Sequence, residues 1–153
     1  MNKPGFQPSL KGRALRLLSQ REHSRTELER KLAVHEEVSG ELAKALDELQ
    51  ARDFINDGRA VDSVVHRRAA KLGAARVKQE LAAKGLSGEL IAEAMAGLRE
   101  TELSRAQEVW RKKFGLAPQD PQERVKQMRF LLTRGFNAEV VRRVVQGGGQ
   151  DDE

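Results

Sequence analysis

Residues 84–91 read KGLSGELI and residues 134–141 read RGFNAEVV, so the same pattern returns after 50 residues. In each stretch a helical run ends at a glycine, Gly85 or Gly135, which suits the left-handed position that follows a helix. Ser87 can cap the helix that begins next. Because a period near 50 residues is typical of stacked supersecondary units, we expect a modular helical protein.

A second pattern, a small residue followed by Arg and Ala, opens each unit. It occurs as Gly12-Arg13-Ala14, Gly58-Arg59-Ala60 and Ser104-Arg105-Ala106, at intervals of 46 residues. Apolar positions align at intervals of 49 or 50 residues: Leu32 with Leu81 and Leu131, Leu42 with Ile91 and Val141, and Leu46 with Met95 and Val145. These nine residues are predicted to form the cores of three related units. The alternative is an ordinary helical domain with coincidental periodicity.

The predicted fold is all-α, with three tandem three-helix repeats. We expect a flexible N-terminal arm over 1–9, repeats over 10–56, 57–100 and 101–146, and a disordered tail over 147–153. The first helix is predicted over 10–20, and a capping box at Ser24 and Glu27 begins the second. Later helices are predicted from near Ser39, over 58–72, 74–84 and 88–99, from near Ser104, from Pro121 and after Gly135. Leu132 and Phe54 are expected to join the core.

Composition argues against an enzyme. Cysteine is absent from the 153 residues, which excludes disulfides and thiolate catalysis and fits a cytoplasmic protein. His23, His35 and His66 stand in polar surroundings without metal-ligand spacing, so each is expected at the surface. Carboxylates alternate with basic residues at helical spacing, as in the pair Glu27 and Lys31. No phosphate-binding loop and no membrane-spanning run is present, and we expect no cofactor, metal site or membrane partner.

Positive charge is concentrated in three segments that contain no acidic residue. The net charge is +5, and the segments are 1–21, 63–79 and 124–138. A solvated helix face would explain any one of these segments. The presence of one such segment in every repeat favours a shared binding surface for an anionic partner. The candidate binding residues are Arg13, Arg16, Arg21, Arg67, Arg68, Lys71, Arg76, Lys78, Arg124, Lys126 and Arg129.

The aromatic residues favour core packing over base stacking. Phe54, Trp110, Phe114, Phe130 and Phe136 stand in apolar stripes or turns, so nucleic-acid contact would rest mainly on phosphates. A helix-turn-helix regulator that acts on bare duplex DNA is the alternative. Its recognition helix would be 88–99, which lacks the Arg, Asn and Gln side chains that read base edges.

Four motifs in the chain resemble the bacterial RecX family of regulatory proteins. They are ALRLLSQREHSRTEL at 14–28, FINDGRA at 54–60, RVKQEL at 76–81 followed by KGL at 84–86, and RFLLTRGF at 129–136. The resemblance covers residues 10–146, in order and at suitable spacing.

The resemblance implies a curved, elongated array of three-helix repeats that acts without catalysis. It implies binding to RecA nucleoprotein filaments on single-stranded DNA, with contact to the phosphate backbone. It also implies inhibition of RecA ATP hydrolysis, strand exchange and co-protease activity, and therefore a role in DNA repair, homologous recombination and the SOS response. We expect a cytoplasmic monomer.

Overall fold

The structure is a computed structural model that describes residues 7–147, and every regular element in that range is helical. The helices are α1 Leu10–Gln20, α2 Arg25–Leu32, α3 Glu41–Ala51, α4 Asp57–Arg68, α5 Ala74–Ala83, α6 Gly88–Lys113, α7 Pro121–Thr133 and α8 Ala138–Gly147, with a short 3-10 helix at Ala33–His35. The all-α prediction is confirmed. The expectations for residues 1–6 and 148–153 lie outside the described residues.

The chain divides into two compact units, and the boundary between them falls within α4. The first unit is Met1–Ser63 with Lys84–Leu86, and the second is Val64–Ala83 with Ser87–Glu153. The core of the first unit is built by α1, α2 and α3, and it includes Leu28, Leu46 and Leu49, which are all fully buried. Apolar side chains at i, i+3 and i+4 spacing give each helix the stripe that it buries here.

Local capping signals begin the helices of the first unit. The Ser9 hydroxyl accepts from the Gly12 N–H at 2.9 Å and caps α1, and the flexible arm over 1–9 stays a prediction. Ser24 and Glu27 form the predicted capping box at the start of α2. The third helix begins at Glu41, two residues later than predicted, because Gly40 adopts a left-handed conformation with φ +89° before it.

The core of the second unit lies among α6, α7 and α8. It includes Trp110, Leu131, Phe136 and the valines of α8. The Trp110 indole Nε1 donates to the Gln127 Oε1 at 2.8 Å, and both side chains are almost completely buried. Because an indole N–H needs an acceptor in a core, Gln127 is a structural residue that apolar periodicity could not identify.

The prediction of a break near residue 100 is wrong. Residues 88–113 form one continuous helix, so the described part of the chain has eight α-helices where nine were expected. Tertiary contacts support its middle, since the Glu102 carboxylate accepts from the Ala74 N–H at 2.7 Å and Arg105 donates to the Leu72 carbonyl at 2.8 Å. Gly97 alone does not end a helix. The three repeat boundaries remain a prediction.

The fourth helix also ends earlier than predicted, at Arg68 instead of residue 72. The N–H groups of Lys71 and Leu72 both bond to the Arg68 carbonyl, which closes a turn. Gly73 then packs directly against the α7–α8 turn, and its N–H donates to the Arg134 carbonyl at 2.8 Å. An added Cβ at Gly73 would collide with the backbone of Gly135, so this junction requires glycine.

The aligned core prediction is confirmed at all nine positions: Leu32, Leu42, Leu46, Leu81, Ile91, Met95, Leu131, Val141 and Val145 are each at most 9% exposed. Ala14, Ala60 and Ala106 of the recurring triplet are also buried. Gly85 and Gly135 have φ values of +72° and +92°, as their helix-ending role requires. Two core predictions are wrong, because Leu132 is 44% exposed and Phe54 is 45% exposed.

Candidate functional site

Two basic residues of α1 line an open groove in the first unit. Arg13 and Arg16 are one turn apart, and they share the groove with Lys31 of α2. The groove encloses about 420 Å³, and Leu17 and Leu32 contribute to its mainly apolar lining. Two of the candidate binding residues of the first segment therefore lie together, beside a lysine that was not among the candidates.

The third candidate of this segment, Arg21, turns inward instead. Its guanidinium bonds to the Glu27 carboxylate at 2.7 Å and to the Glu22 carbonyl at 2.8 Å. Lys84 reaches the same carboxylate at 3.2 Å. Arg21 therefore stabilises the fold of the first unit, whatever else it contacts.

Glu27 is the centre of this network, with a side chain that is only 10% exposed. Burial by itself would raise the pKa of this carboxyl group. Hydrogen bonds from Arg21, the Ser24 N–H and Lys84 outweigh burial and lower the pKa from 4.5 to about 2. The i, i+4 pairing with Lys31 that the spacing predicted is not the arrangement found, because Arg21 and Lys84 hold the carboxylate.

The prediction that His23 lies at the surface is wrong, because only 1% of this residue is exposed. Its Nδ1 lies 3.0 Å from the Arg21 carbonyl, and its Nε2 lies 3.1 Å from the Lys31 ammonium. A carbonyl can only accept and an ammonium can only donate, so the ring is neutral with its proton on Nδ1. Burial lowers the pKa of His23, and the charges of Arg21 and Lys31 lower it further. His35 and His66 are exposed, as predicted.

Two of the three arginines of the recurring triplet bond to backbone carbonyls near the ends of preceding helices. Arg59 donates to the Asp53 carbonyl at 2.6 Å and also pairs with the carboxylates of Asp53 and Glu22. Arg105 donates to the carbonyls of Ala69 and Leu72 at 2.9 and 2.8 Å. Such carbonyls lack helical partners, and a guanidinium satisfies several at once. Sequence reasoning found the triplet but not this role.

The second basic segment surrounds a single carboxylate. Arg68 bonds to Glu80 at 2.9 Å, and Arg67 lies 3.5 Å from the other oxygen of the same side chain. Arg68 and Arg76 line a groove of about 430 Å³ with Glu80. Lys71 is exposed in the turn after α4. Since two guanidiniums share one carboxylate, the cluster keeps positive charge at the surface.

Arg76 links the second basic segment to the third within the second unit. Its guanidinium donates to the Thr133 carbonyl at the end of α7, at 2.8 Å. Lys126 and Arg129 lie on the same helical face as Thr133, two turns and one turn before it, and both are exposed. We call these three exposed basic residues the α5–α7 surface: Arg76, Lys126 and Arg129.

Two candidates lie apart from the α5–α7 surface. Lys78 is two residues after Arg76, so it points to nearly the opposite side of α5. Arg124 is two residues before Lys126 and likewise lies on a different side of α7. Both are exposed, and the prediction that they contact an anionic partner remains a prediction.

Two cations pack against the ring of Phe130, which follows Arg129 in α7. Phe130 packs edge-on against Phe114, with ring centroids 5.5 Å apart. Lys113 and Arg134 lie 5.4 and 4.9 Å from the Phe130 centroid. The ring is half-buried and already contacts two cations, which fits its predicted packing role better than base stacking.

The chemistry available at these surfaces is charge recognition. Within residues 7–147, no group of His, Asp and Glu side chains is placed to hold a metal ion. Over the same range, no helix is both long and apolar enough to cross a membrane. The grooves beside Arg13 and Arg68 open to solvent and are lined by guanidiniums, so they can bind carboxylates or phosphates.

Two parts of this helical chain match the domains of one protein family. Models described as the second and the third three-helix domain of RecX match residues 56–95 and 100–145. The chain belongs to the RecX family. The resemblance is thereby confirmed, and repeated three-helix domains are the architecture of this chain.

Curated RecX relatives match nearly the whole chain. "Regulatory protein RecX" of Leptothrix cholodnii is 52% identical over 145 residues, which are 95% of this chain and 91% of the relative. The protein of the same name from Ralstonia nicotianae is 48% identical, over 91% of this chain and 87% of the relative. The crystal structure of RecX from Lactobacillus salivarius shares the fold, with a TM-score of 0.70 at 22% identity over 90% of this chain and 93% of that chain.

Proposed function

We propose that this RecX-family protein binds RecA filaments on single-stranded DNA and inhibits RecA ATP hydrolysis, strand exchange and co-protease activity. The α5–α7 surface is the observation that carries the proposal. It consists of Arg76, Lys126 and Arg129, which are exposed in the second unit, and neither Lys126 nor Arg129 has an ion-pair partner among residues 7–147. Cations that keep their donors available suit a polyanionic partner.

Inhibition follows from binding without any catalytic step. A protein that binds one state of a filament better than others shifts the population toward that state. It also excludes duplex DNA or a protein substrate from the surface that it covers. The protein would act as a monomer in the cytoplasm, without a cofactor, and would modulate recombination, repair and the SOS response.

The deciding experiment measures RecA ATP hydrolysis on single-stranded DNA while this protein is added in increasing amounts. We expect dose-dependent suppression. Arg129→Glu should weaken suppression, whereas Arg99→Glu, which makes the same charge change at an exposed site of α6 outside the basic segments, should not. Unchanged hydrolysis at saturating protein would refute the proposal.

Salt dependence tests the phosphate contacts directly. Each lost phosphate contact lowers the salt slope of binding by roughly one unit. We therefore expect Arg129→Glu to reduce the slope for single-stranded DNA, alone or coated with RecA. A titration with specific and scrambled duplex DNA tests the alternative regulator, which requires preference for one sequence. Exposed Glu89 and Glu93 on the first turns of α6 disfavour that alternative.

A further inference from the structure

The groove of the first unit combines a basic rim with an apolar floor. Arg13 and Arg16 of α1 and Lys31 of α2 supply the positive charge, and Leu17 and Leu32 supply apolar surface. No carboxylate lines this groove among the described residues. Its volume of about 420 Å³ is within the range of ligand pockets, roughly 300–1,000 Å³.

The hydrogen bonds of Arg13 differ from those of its equivalents in the other repeats. At successive intervals of 46 residues, Arg59 donates to the Asp53 carbonyl at 2.6 Å, and Arg105 donates to the Ala69 and Leu72 carbonyls at 2.9 and 2.8 Å. Arg13 has a single contact in the described chain, with the Gln7 Oε1 at 3.5 Å, which is at the limit of a hydrogen bond. Arg59 and Arg105 thus bind backbone carbonyls, whereas the equivalent Arg13 has guanidinium donors left for another partner.

The other two cations of the groove, Arg16 and Lys31, also have hydrogen-bond donors available for a partner. The side chain of Arg16 is exposed and has no hydrogen-bond or ion-pair partner among residues 7–147. The Lys31 ammonium uses one of its three hydrogens toward His23 Nε2, at 3.1 Å. An occupant with carboxylates and backbone carbonyls would satisfy these donors in the way that Asp53 and its carbonyl satisfy Arg59.

We propose that this groove is a docking site for an acidic segment of a partner protein that carries a branched apolar side chain. Carboxylates and carbonyls of the segment bond to Arg13 and Arg16, and its apolar side chain packs on Leu17 and Leu32. A phosphodiester backbone would match the guanidiniums but leave the apolar floor uncovered, so a peptide is the better fit. The site differs from the α5–α7 surface and does not depend on RecA.

Fluorescence anisotropy with labelled peptides tests the docking. The probes are peptides of about 12 residues made of Asp and Glu, with one Leu at each position in turn, and control peptides with Ser in place of Leu. We expect the best Leu peptide to bind at least ten-fold more tightly than its Ser control in about 0.15 M salt. Arg16→Glu should lower its affinity at least ten-fold, whereas Lys44→Glu, an equal charge change at an exposed site of α3, should leave it within two-fold.

Several outcomes would overturn the docking proposal. Equal binding of Leu and Ser peptides would reduce the groove to a general anion site. Competition by a thymidine oligonucleotide of about 12 nucleotides, at the same concentration as unlabelled peptide, would make it a phosphate site. Circular dichroism checks that Arg16→Glu is folded, and Arg13→Gln repeats the test with a smaller change if it is not. Unchanged affinity in a folded groove variant would also refute the proposal.

Two further measurements address occupants that belong to this chain. Sedimentation of the protein alone should show a monomer; a dimer that Arg16→Glu dissociates would assign the groove to a second copy. A chain shortened to end at Gly147 should bind the Leu peptide as the full chain does. A ten-fold gain in affinity would instead identify Asp151, Asp152 and Glu153 as the occupant.

Discussion

Replacing Glu27 with Gln removes the charge at the centre of the first unit while keeping the shape of the side chain. The hydrogen bonds from Arg21, Ser24 and Lys84 outweigh burial and lower the pKa of Glu27 from 4.5 to about 2. At about 1.4 kcal/mol per pH unit, that shift corresponds to about 3 kcal/mol of native-state stabilisation at neutral pH. We expect Glu27→Gln to lower the free energy of unfolding by about 2–3 kcal/mol at pH 7.

The sign of the pH dependence separates this explanation from a simple loss of packing. A carboxyl group with a lowered native pKa contributes its full stabilisation above pH 4.5 and loses it as the pH falls toward about 2. Urea unfolding, followed by circular dichroism, should therefore show that the difference in unfolding free energy between wild type and Glu27→Gln shrinks to about 1 kcal/mol at pH 3. Glu29→Gln is the matched control, because Glu29 is 48% exposed and pairs with Arg25 at 3.7 Å. The network does not stabilise the fold if Glu27→Gln loses less than about 0.5 kcal/mol of unfolding free energy at pH 7, or if the loss at pH 3 equals the loss at pH 7.

Three further perturbations test the fold. Because the native pKa of His23 is lowered, the unfolding free energy should fall as the pH drops below 6.5, and urea titrations should show a shallower fall for His23→Gln. Gly73→Ala should cost more than about 2 kcal/mol because of its backbone contact, whereas Gly97→Ala, with open space around it, should stabilise by about 0.5–1 kcal/mol; thermal melts compare the two. Gln127→Met leaves the Trp110 N–H without its acceptor and should cost about 1–3 kcal/mol, measured by tryptophan fluorescence in urea. The explanation for His23 would be wrong if His23→Gln kept the wild-type pH dependence. Equal stability of Gly73→Ala and Gly97→Ala would contradict the second explanation, and an unchanged fluorescence midpoint for Gln127→Met would contradict the third.

The repeated core was predictable because it depends on local spacing. Leu32, Leu81 and Leu131 are buried at equivalent positions, and Gly85 and Gly135 end helices as their left-handed φ values require. Helix boundaries were less predictable where tertiary contacts decide. Ser104 begins the third recurring triplet, which predicts a helix start, but contacts around it keep α6 continuous, and no local pattern reports those contacts.

The partners of the charged residues could not be predicted from the sequence. His23 stands between Glu22 and Ser24, yet it is buried because a carbonyl and a lysine eight residues away satisfy its ring nitrogens. The hydrogen bonds from Arg59 and Arg105 reach backbone carbonyls of preceding segments, and the Ala69 carbonyl is 36 residues away from Arg105. The recurring triplet identified these arginines as equivalent but did not show what they bind.

The partners of the cations determine how they can contribute to binding a polyanion. Arg21 is tied to a carboxylate that is only 10% exposed, so moving it to a phosphate would leave Lys84 as the only cation paired with that carboxylate among the described residues. The pairs of Arg68 with Glu80 lie nearer the surface, where an ion pair is worth about 0–1 kcal/mol and can rearrange at little cost. Lys126 and Arg129 have no pair to break among the described residues. Binding free energy should therefore concentrate on the α5–α7 surface, while Arg21 serves mainly the fold of the first unit.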